Sequence, residues 1–117
     1  MKKKLAIILG YYNGDKYINE LIRSIFMQTY KNFHIFIFDD NSINPIKINH
    51  LKINSEERKK ITIKTRKNNL GFAKNFLSGL SEIDSSFEYY SFCDQDDIWL
   101  PNKISTGISI LEKINNN

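Results

Sequence analysis

The sequence predicts an α/β fold, a mostly parallel sheet with helices on both faces. Three observations carry this expectation. Residues 5–9, 33–38 and 89–93 are nearly continuous apolar runs rich in Ile, Phe and Tyr, the pattern of strands covered on both faces, as in parallel sheets. Segments of helical period lie between them. Dense polar clusters follow directly on three of the runs, and in open α/β sheets ligands bind beyond the carboxyl ends of the strands.

Taken in order, the first run is followed by a helix opened by Asn13-Gly14-Asp15, with Tyr17, Ile18, Leu21, Ile22, Ile25 and Phe26 recurring at three- and four-residue spacing. The second run ends in Asp39-Asp40. Residues 41–60 are the least regular stretch, with Pro45 and many polar residues. Ile61-Thr62-Ile63-Lys64-Thr65 alternates and reads as a strand with one poorer face. A second helix is expected from Phe72 to about Ile83 with Phe72, Phe76, Leu77 and Leu80 inward. The last run, at 89–93, leads to a third helix after Pro101, a residue suited to a helix start because its missing N–H is not needed there. Ile104, Ile108 and Leu111, extending to Ile114, would form its inner face. This alternation calls for right-handed crossovers. The 117 residues support one domain, 1–117, without repeat or linker.

An apolar content of 41% argues against disorder. The net charge of +4 is poorly organised for nucleic acid: Lys2 to Lys4 form a terminal tag, and Arg58, Lys59 and Lys60 follow two glutamates. No nucleic-acid role is expected. Scattered lysines fit better with a weak attraction to anionic membrane surfaces, a peripheral association at most. Cys93 is the only cysteine, so an internal disulfide is excluded and a reducing compartment fits. The lysine-led N-terminus has the outline of a signal peptide, but its apolar run is short and lacks a cleavage site. No run approaches the roughly 18 apolar residues of a membrane span. The expected location is the cytoplasm, extending to the inner face of the membrane. Asn115 to Asn117 read as a frayed or cut end.

The chemistry is expected at three clusters: Gly10-Tyr11-Tyr12-Asn13-Gly14, Asp39-Asp40-Asn41-Ser42, and Asp94-Gln95-Asp96-Asp97. Five carboxylates at the ends of two apolar strands repel one another unless something positive joins them. Oxygen donors favour a hard divalent ion, Mg²⁺ or Mn²⁺. An Asp pair after a strand also serves as an ordinary turn or cap, and Asp39-Asp40 alone does not separate these roles. Three carboxylates in four positions at Asp94 to Asp97 exceed what capping needs.

These segments resemble, in order, the motifs of family 2 glycosyltransferases with the GT-A, Rossmann-like nucleotide-binding half. Residues 5–14 resemble the opening strand and turn, and Ser24 to Tyr30 the S-x-x-x-Q-T-Y/F segment. Residues 33–42 (FHIFIFDDNS) are similar to the second strand and acidic pair, and Asn69 to Asn75 to the N-x-G-x-x-x-N helix start. Residues 92–104 resemble the D-x-D-D-x-W-x-P-x-K signature. The Asp-Gln-Asp-Asp-Ile-Trp form is most similar to the rhamnosyltransferase-like subgroup.

The resemblance implies transfer of a sugar from a UDP- or dTDP-sugar to a glycan or lipid-linked acceptor in cell-surface polysaccharide synthesis. Tyr12 and Asn13 would border the nucleotide base and Asp40 would accept a base N–H, with Asp39 supporting the turn. Gly71 and Lys74 would lie near the donor, Lys74 standing where many relatives carry arginine. Asp94 and Asp96 would contact ribose and metal, and Asp97 would support them or cap the next helix. Trp99 is expected to pack beneath this loop. His34, His50 and Cys93 are read as structural. Inverting members use a carboxylate base, expected here beyond residue 117, because Glu82, Asp84 and Glu88 belong to a helix end and loop. The chain is therefore expected to be the donor-binding portion of a larger domain, lacking the acceptor-binding part and its own catalytic base. Two other readings remain: a non-catalytic nucleotide-binding or assembly module of the same fold, and a phosphoacceptor receiver domain. The receiver is disfavoured because its acidic pair would follow the first strand.

Overall fold

The computed structural model describes residues 3–115. Lys2 of the lysine tag, and Asn116 and Asn117 of the expected frayed end, lie outside the described residues. The element order is β1 (Leu5–Tyr11), α1 (Ile18–Phe26), β2 (Phe33–Asp39), a 3₁₀ turn (Ile48–His50), α2 (Ser55–Arg58), β3 (Ile61–Thr65), α3 (Phe72–Glu82), β4 (Tyr89–Asp94) and α4 (Lys103–Asn115). The strands form one parallel sheet in the order β3-β2-β1-β4. The α/β expectation holds, with helices on both faces.

Side chains of β1 alternate between the two faces, as a strand's period of two requires. Leu5, Ile7, Leu9 and Tyr11 join Leu21, Ile22 and Ile25 of α1, with Ile104 of α4 and Trp99 from the segment before it, in the main core. Ile8 joins Phe38 and Phe76 in a smaller core beneath α3. The irregular stretch at 41–60 closes the main core with Ile46 and Leu51. Strand addition runs from β1 through β2 to β3, then returns to place β4 on the other side of β1. That reversal is a topological switch point, and the crevice at the carboxyl ends of β1 and β4 is where such sheets bind ligands.

Three expectations about helix faces need correction. α1 starts at Ile18, and Tyr17 is exposed. In α3 the inward residues are Asn75, Phe76 and Gly79, whereas Phe72 and Leu77 are 70% and 63% exposed and Leu80 is at 36%. The cause is close packing on β2. A Cβ on Gly79 would stand 2.6 Å from the Phe38 ring, and the Asn75 amide donates to the Phe38 carbonyl at 2.9 Å. In α4 Ile104 is buried and Ile108 packs partly, but Leu111 and Ile114 are exposed.

Arg66, just past β3, ties this layer together. Its Nε donates to Asn75 Oδ1 at 3.0 Å, its Nη1 donates to both Glu82 oxygens at 2.7 and 2.9 Å, and the guanidinium lies 4.8 Å from the Phe38 ring centre. Burial pushes the Glu82 carboxyl up, but hydrogen bonds and charges from Arg66 and Lys64 outweigh it and hold the group below its ordinary value. A depressed carboxyl contributes stability above its unfolded pKa and loses it as pH falls through the folded value. Glu82→Gln should therefore melt below the parent chain at about pH 7 and converge with it towards about pH 3. A melting difference independent of pH over that range would contradict this role.

Candidate functional site

Each strand end at the switch point is held by side chain-to-backbone pairs. After β1, Asn13 adopts φ +48, a conformation that asparagine tolerates better than most residues. Its N–H donates to Ser42 Oγ at 2.9 Å, and its Oδ1 accepts the Ile43 N–H at 3.0 Å. The β1 turn is thereby fixed to the β2 turn. After β2, the two aspartates divide their work. Asp39 is fully buried and accepts the N–H groups of Ser42 and Ile46 at 2.9 and 2.8 Å, the turn support expected of it. Asp40, 4% exposed, accepts the Leu70 and Gly71 N–H groups at 2.7 and 2.9 Å, one on each oxygen. Gly71, at φ +84, is the N-cap of α3 and has no side chain to cap with. Asp40 thus anchors the start of α3 to the end of β2.

After β4, residues 94–97 form a closed turn. The Asp97 N–H donates to the Asp94 carbonyl at 3.1 Å, and the Asp94 N–H to Asp97 Oδ2 at 3.3 Å. Asp97 supports this turn and does not cap α4, which begins at Lys103. Partial burial, then the charges of Asp97 and Asp96, push the Asp94 carboxyl above its ordinary range. The repulsion expected from the sequence thus acts on Asp94 within its own turn and ranks after burial. Gln95, between the two aspartates, pairs at both ends of its amide with Tyr12: the Tyr12 N–H donates to Oε1 at 2.7 Å, and Nε2 donates to the Tyr12 carbonyl at 3.1 Å.

A cleft of about 330 Å³ opens among these ends, lined by Tyr12, Asp40, Asn69, Gly71, Asn75 and Gln95. Tyr12 is half exposed. Asp94 and Asp97 line an adjoining groove of about 380 Å³ that also has Phe72, Leu77 and Phe92 in its wall. The structure thus brings Tyr12, Asp40 and Gly71 to one cleft, with Asp94 beside it. Asn13, Asp96 and Lys74 are exposed and line neither space, Asn13 serving the turn. Among the described residues no three carboxylate, histidine or thiol side chains converge on one point. Two neighbouring carboxylates still suit Mg²⁺, which is commonly held by one or two carboxylates plus substrate phosphates.

The floor of the acidic turn was not legible as such. Gln28, fully buried, donates from Nε2 to the Leu100 carbonyl at 2.6 Å and to Ser24 at 3.2 Å, while its Oε1 accepts the Ile104 N–H at 3.0 Å. Ser24 Oγ accepts the Trp99 N–H at 3.0 Å, and Trp99 is buried in the main core. The signal was present, a glutamine and a serine at the end of an apolar helix, but pattern alone gave it no partner. The remaining residues behave structurally. His34 Nε2 pairs with Thr62 Oγ1 at 2.8 Å, and burial, then Lys4 and Lys60, lower its pKa. His50 Nδ1 accepts the Lys47 N–H at 3.3 Å. Burial, then the charges of Asp97 and Asp94, push the Cys93 thiol far up.

The family model described as Glycosyl transferase family 2 matches residues 6–117. The chain belongs to glycosyltransferase family 2. An uncharacterized glycosyltransferase of Haemophilus influenzae is 37% identical over 93% of this family 2 chain and 33% of its own length. The UDP-Glc:alpha-D-GlcNAc-diphosphoundecaprenol beta-1,3-glucosyltransferase WfgD of Escherichia coli is 30% identical over 95% of the chain and 42% of its own length. The chain thus spans well under half the length of these curated relatives. Two solved structures share its fold over 94% of the chain, each with a TM-score of 0.76. One is S. aureus TarS 1-349 in complex with UDP-GlcNAc, at 24% identity and 31% of that chain. The other is the mannosyltransferase PcManGT from Pyrobaculum calidifontis in complex with GDP-Man and Mn²⁺, at 18% identity and 32% of that chain. The family 2 chain therefore carries the GT-A arrangement. No helix among its described residues is long and apolar enough to cross a membrane.

Proposed function

We propose that this chain supplies the donor side of a sugar transfer, binding a uridine or thymidine diphosphate sugar for delivery to a glycan or lipid-linked acceptor in cell-surface polysaccharide synthesis. The observation that carries this reading is the meeting of Tyr12, Asp40 and Gly71 in one cleft at the switch point, beside the groove that Asp94 and Asp97 line. In this reading Tyr12 offers its exposed face to the base. Asp40 uses two of its roughly four acceptor positions on the Leu70 and Gly71 N–H groups, which leaves acceptor capacity for a base N–H. Gly71 lets the donor approach the backbone closely, and Lys74 contributes a point charge on the first turn of α3. Asp94 and Asp96 would hold Mg²⁺ or Mn²⁺, whose bound charge stabilises a departing diphosphate. The known activity of WfgD and the ligand of the TarS complex support a uridine diphosphate donor, and the PcManGT complex supports a divalent metal.

An inverting transfer needs a carboxylate to deprotonate the acceptor. Glu82 is paired with Arg66, Asp84 accepts the Ser86 N–H, and Glu88 accepts the Lys4 N–H. None of the three lines the cleft. The reading therefore assigns the base to residues outside these 117, and measurable sugar transfer by the 117-residue chain would contradict that assignment.

The direct test is a thermal melt with UDP and dTDP, each with and without Mn²⁺. A nucleotide at 100 times its dissociation constant should stabilise the chain by about 2.7 kcal/mol. The metal-dependent part of the shift should vanish in Asp94→Ala and in Asp96→Ala. A cooperative melt indifferent to both nucleotides would refute donor binding and favour the non-catalytic module.

A further inference from the structure

The acidic turn and the Tyr12 loop are joined by one side chain. Both ends of the Gln95 amide are spent on the Tyr12 backbone, at 2.7 and 3.1 Å, across 83 residues of sequence. The side chain also lies against Gly14, where an added Cβ would stand 2.4 Å from Oε1. Gln95 is the second residue of the closed 94–97 turn, so its direction is fixed by the backbone that also fixes Asp94 and Asp96. A shift of either loop must break the amide pair or carry the other loop with it.

The geometry points to Gln95 as a positioning residue that couples the two halves of the site. A divalent ion drawn to Asp94 and Asp96 settles the 94–97 turn. Through Gln95 this settles the Tyr12 backbone, and with it the ring offered to the nucleoside. Coupling of this kind is reciprocal, so the nucleoside tightens metal binding by the same factor as the metal tightens nucleoside binding, beyond any direct contact between the metal and a diphosphate. The inference rests on the donor-site reading above and adds a residue and a linkage that this reading does not require.

Two substitutions break the pair from opposite sides. Gln95→Met keeps the length of the side chain and removes both hydrogen-bonding groups. Gly14→Ala leaves Gln95 in place and displaces its flexible end at little cost to the fold. The dissociation constants of UDP and of uridine, which has no phosphate for the metal to touch, are measured by calorimetry with and without Mn²⁺ for the parent chain and both variants, alongside amide hydrogen exchange of the ligand-free proteins. In the parent chain Mn²⁺ should tighten uridine on the order of tenfold, within the usual range for coupled sites. In both variants this factor should fall below about twofold while metal-free uridine affinity changes less, and the Tyr12 N–H should exchange faster before any ligand is added. A merely structural role would weaken uridine equally with and without the metal. A parent chain in which Mn²⁺ leaves uridine binding unchanged overturns the coupling. Retention of the parental factor in either variant, with Tyr12 exchange accelerated, overturns the coupling and leaves the donor site standing. Absence of UDP binding in the parent chain overturns the donor site and the coupling together.

Discussion

Asp40→Ala is expected to lower the stability of the chain by about 3 kcal/mol and to abolish its response to nucleotide. The carboxylate accepts the Leu70 and Gly71 N–H groups on separate oxygens at 2.7 and 2.9 Å. Hydrogen bonds to a charged acceptor contribute roughly 1.5–3 kcal/mol each. Partial solvent access at both N–H groups places the sum towards the lower end. A drop of roughly 10 °C in melting temperature follows for a chain of this size. Asp40→Asn should recover little, because its NH₂ would face one of the two backbone donors and replace an attraction by a donor–donor contact. Gly71 would lose its anchor together with the acceptor meant for the base, so stability and binding fail together. A melt of Asp40→Ala within about 1 °C of the parent chain would show that these N–H groups find other partners.

Gln28→Leu is expected to have an effect of similar size on stability, about 2–4 kcal/mol, with no contact to the cleft. Leucine fits the volume but cannot replace the bonds to the Leu100 carbonyl and the Ile104 N–H, both at the root of the acidic turn. A buried polar group left unpaired costs roughly 1–3 kcal/mol, and two are left here. Trp99, the single tryptophan, reports the result directly. Its N–H is bonded to Ser24 and its ring is buried beside this clamp, so its emission should move to longer wavelength at temperatures where the parent chain is still native. Unchanged emission with an unchanged melt would mean that Ser24 and the apolar packing of Trp99 hold the turn without Gln28.

The sheet was legible because both faces of β1 and β2 are covered, which writes continuous apolar runs into them. β4 carries an equally apolar run, but Tyr90 and Phe92 are 42% and 54% exposed, so one of its faces is open and not covered as its pattern suggested. Asp94 was legible because three carboxylates in four positions exceed what capping needs, whereas Asp40 and Gly71 were placed by the motif resemblance, an aspartate after a strand serving equally well as a turn or cap. The inward face of α3 was not, because the residues that meet the sheet are Asn75 and Gly79. One touches β2 through a hydrogen bond and the other by having no side chain, and hydrophobic periodicity registers neither. Lys74 was placed near the donor from its motif, and the structure leaves it exposed outside the cleft. The roles of Gln28 and Gln95 depend on partners more than 70 residues away, a relation that no local pattern records.

The sheet order also sets a sequence of events during synthesis. β1 is made well before β4, yet the two are neighbours, Leu5 beside Tyr89 and Gly10 beside Asp94. At ribosomal rates of roughly 5–20 residues per second, β1 waits several seconds for this partner. Closing so long a loop costs entropy before its contacts form, which slows the docking of β4. During that interval the nascent chain presents a bare, apolar strand edge, a template for pairing with other chains. The acidic turn meets the Tyr12 loop only when β4 arrives, so the ligand pocket forms after β1, β2 and β3 have paired and no ligand can hasten the steps before it.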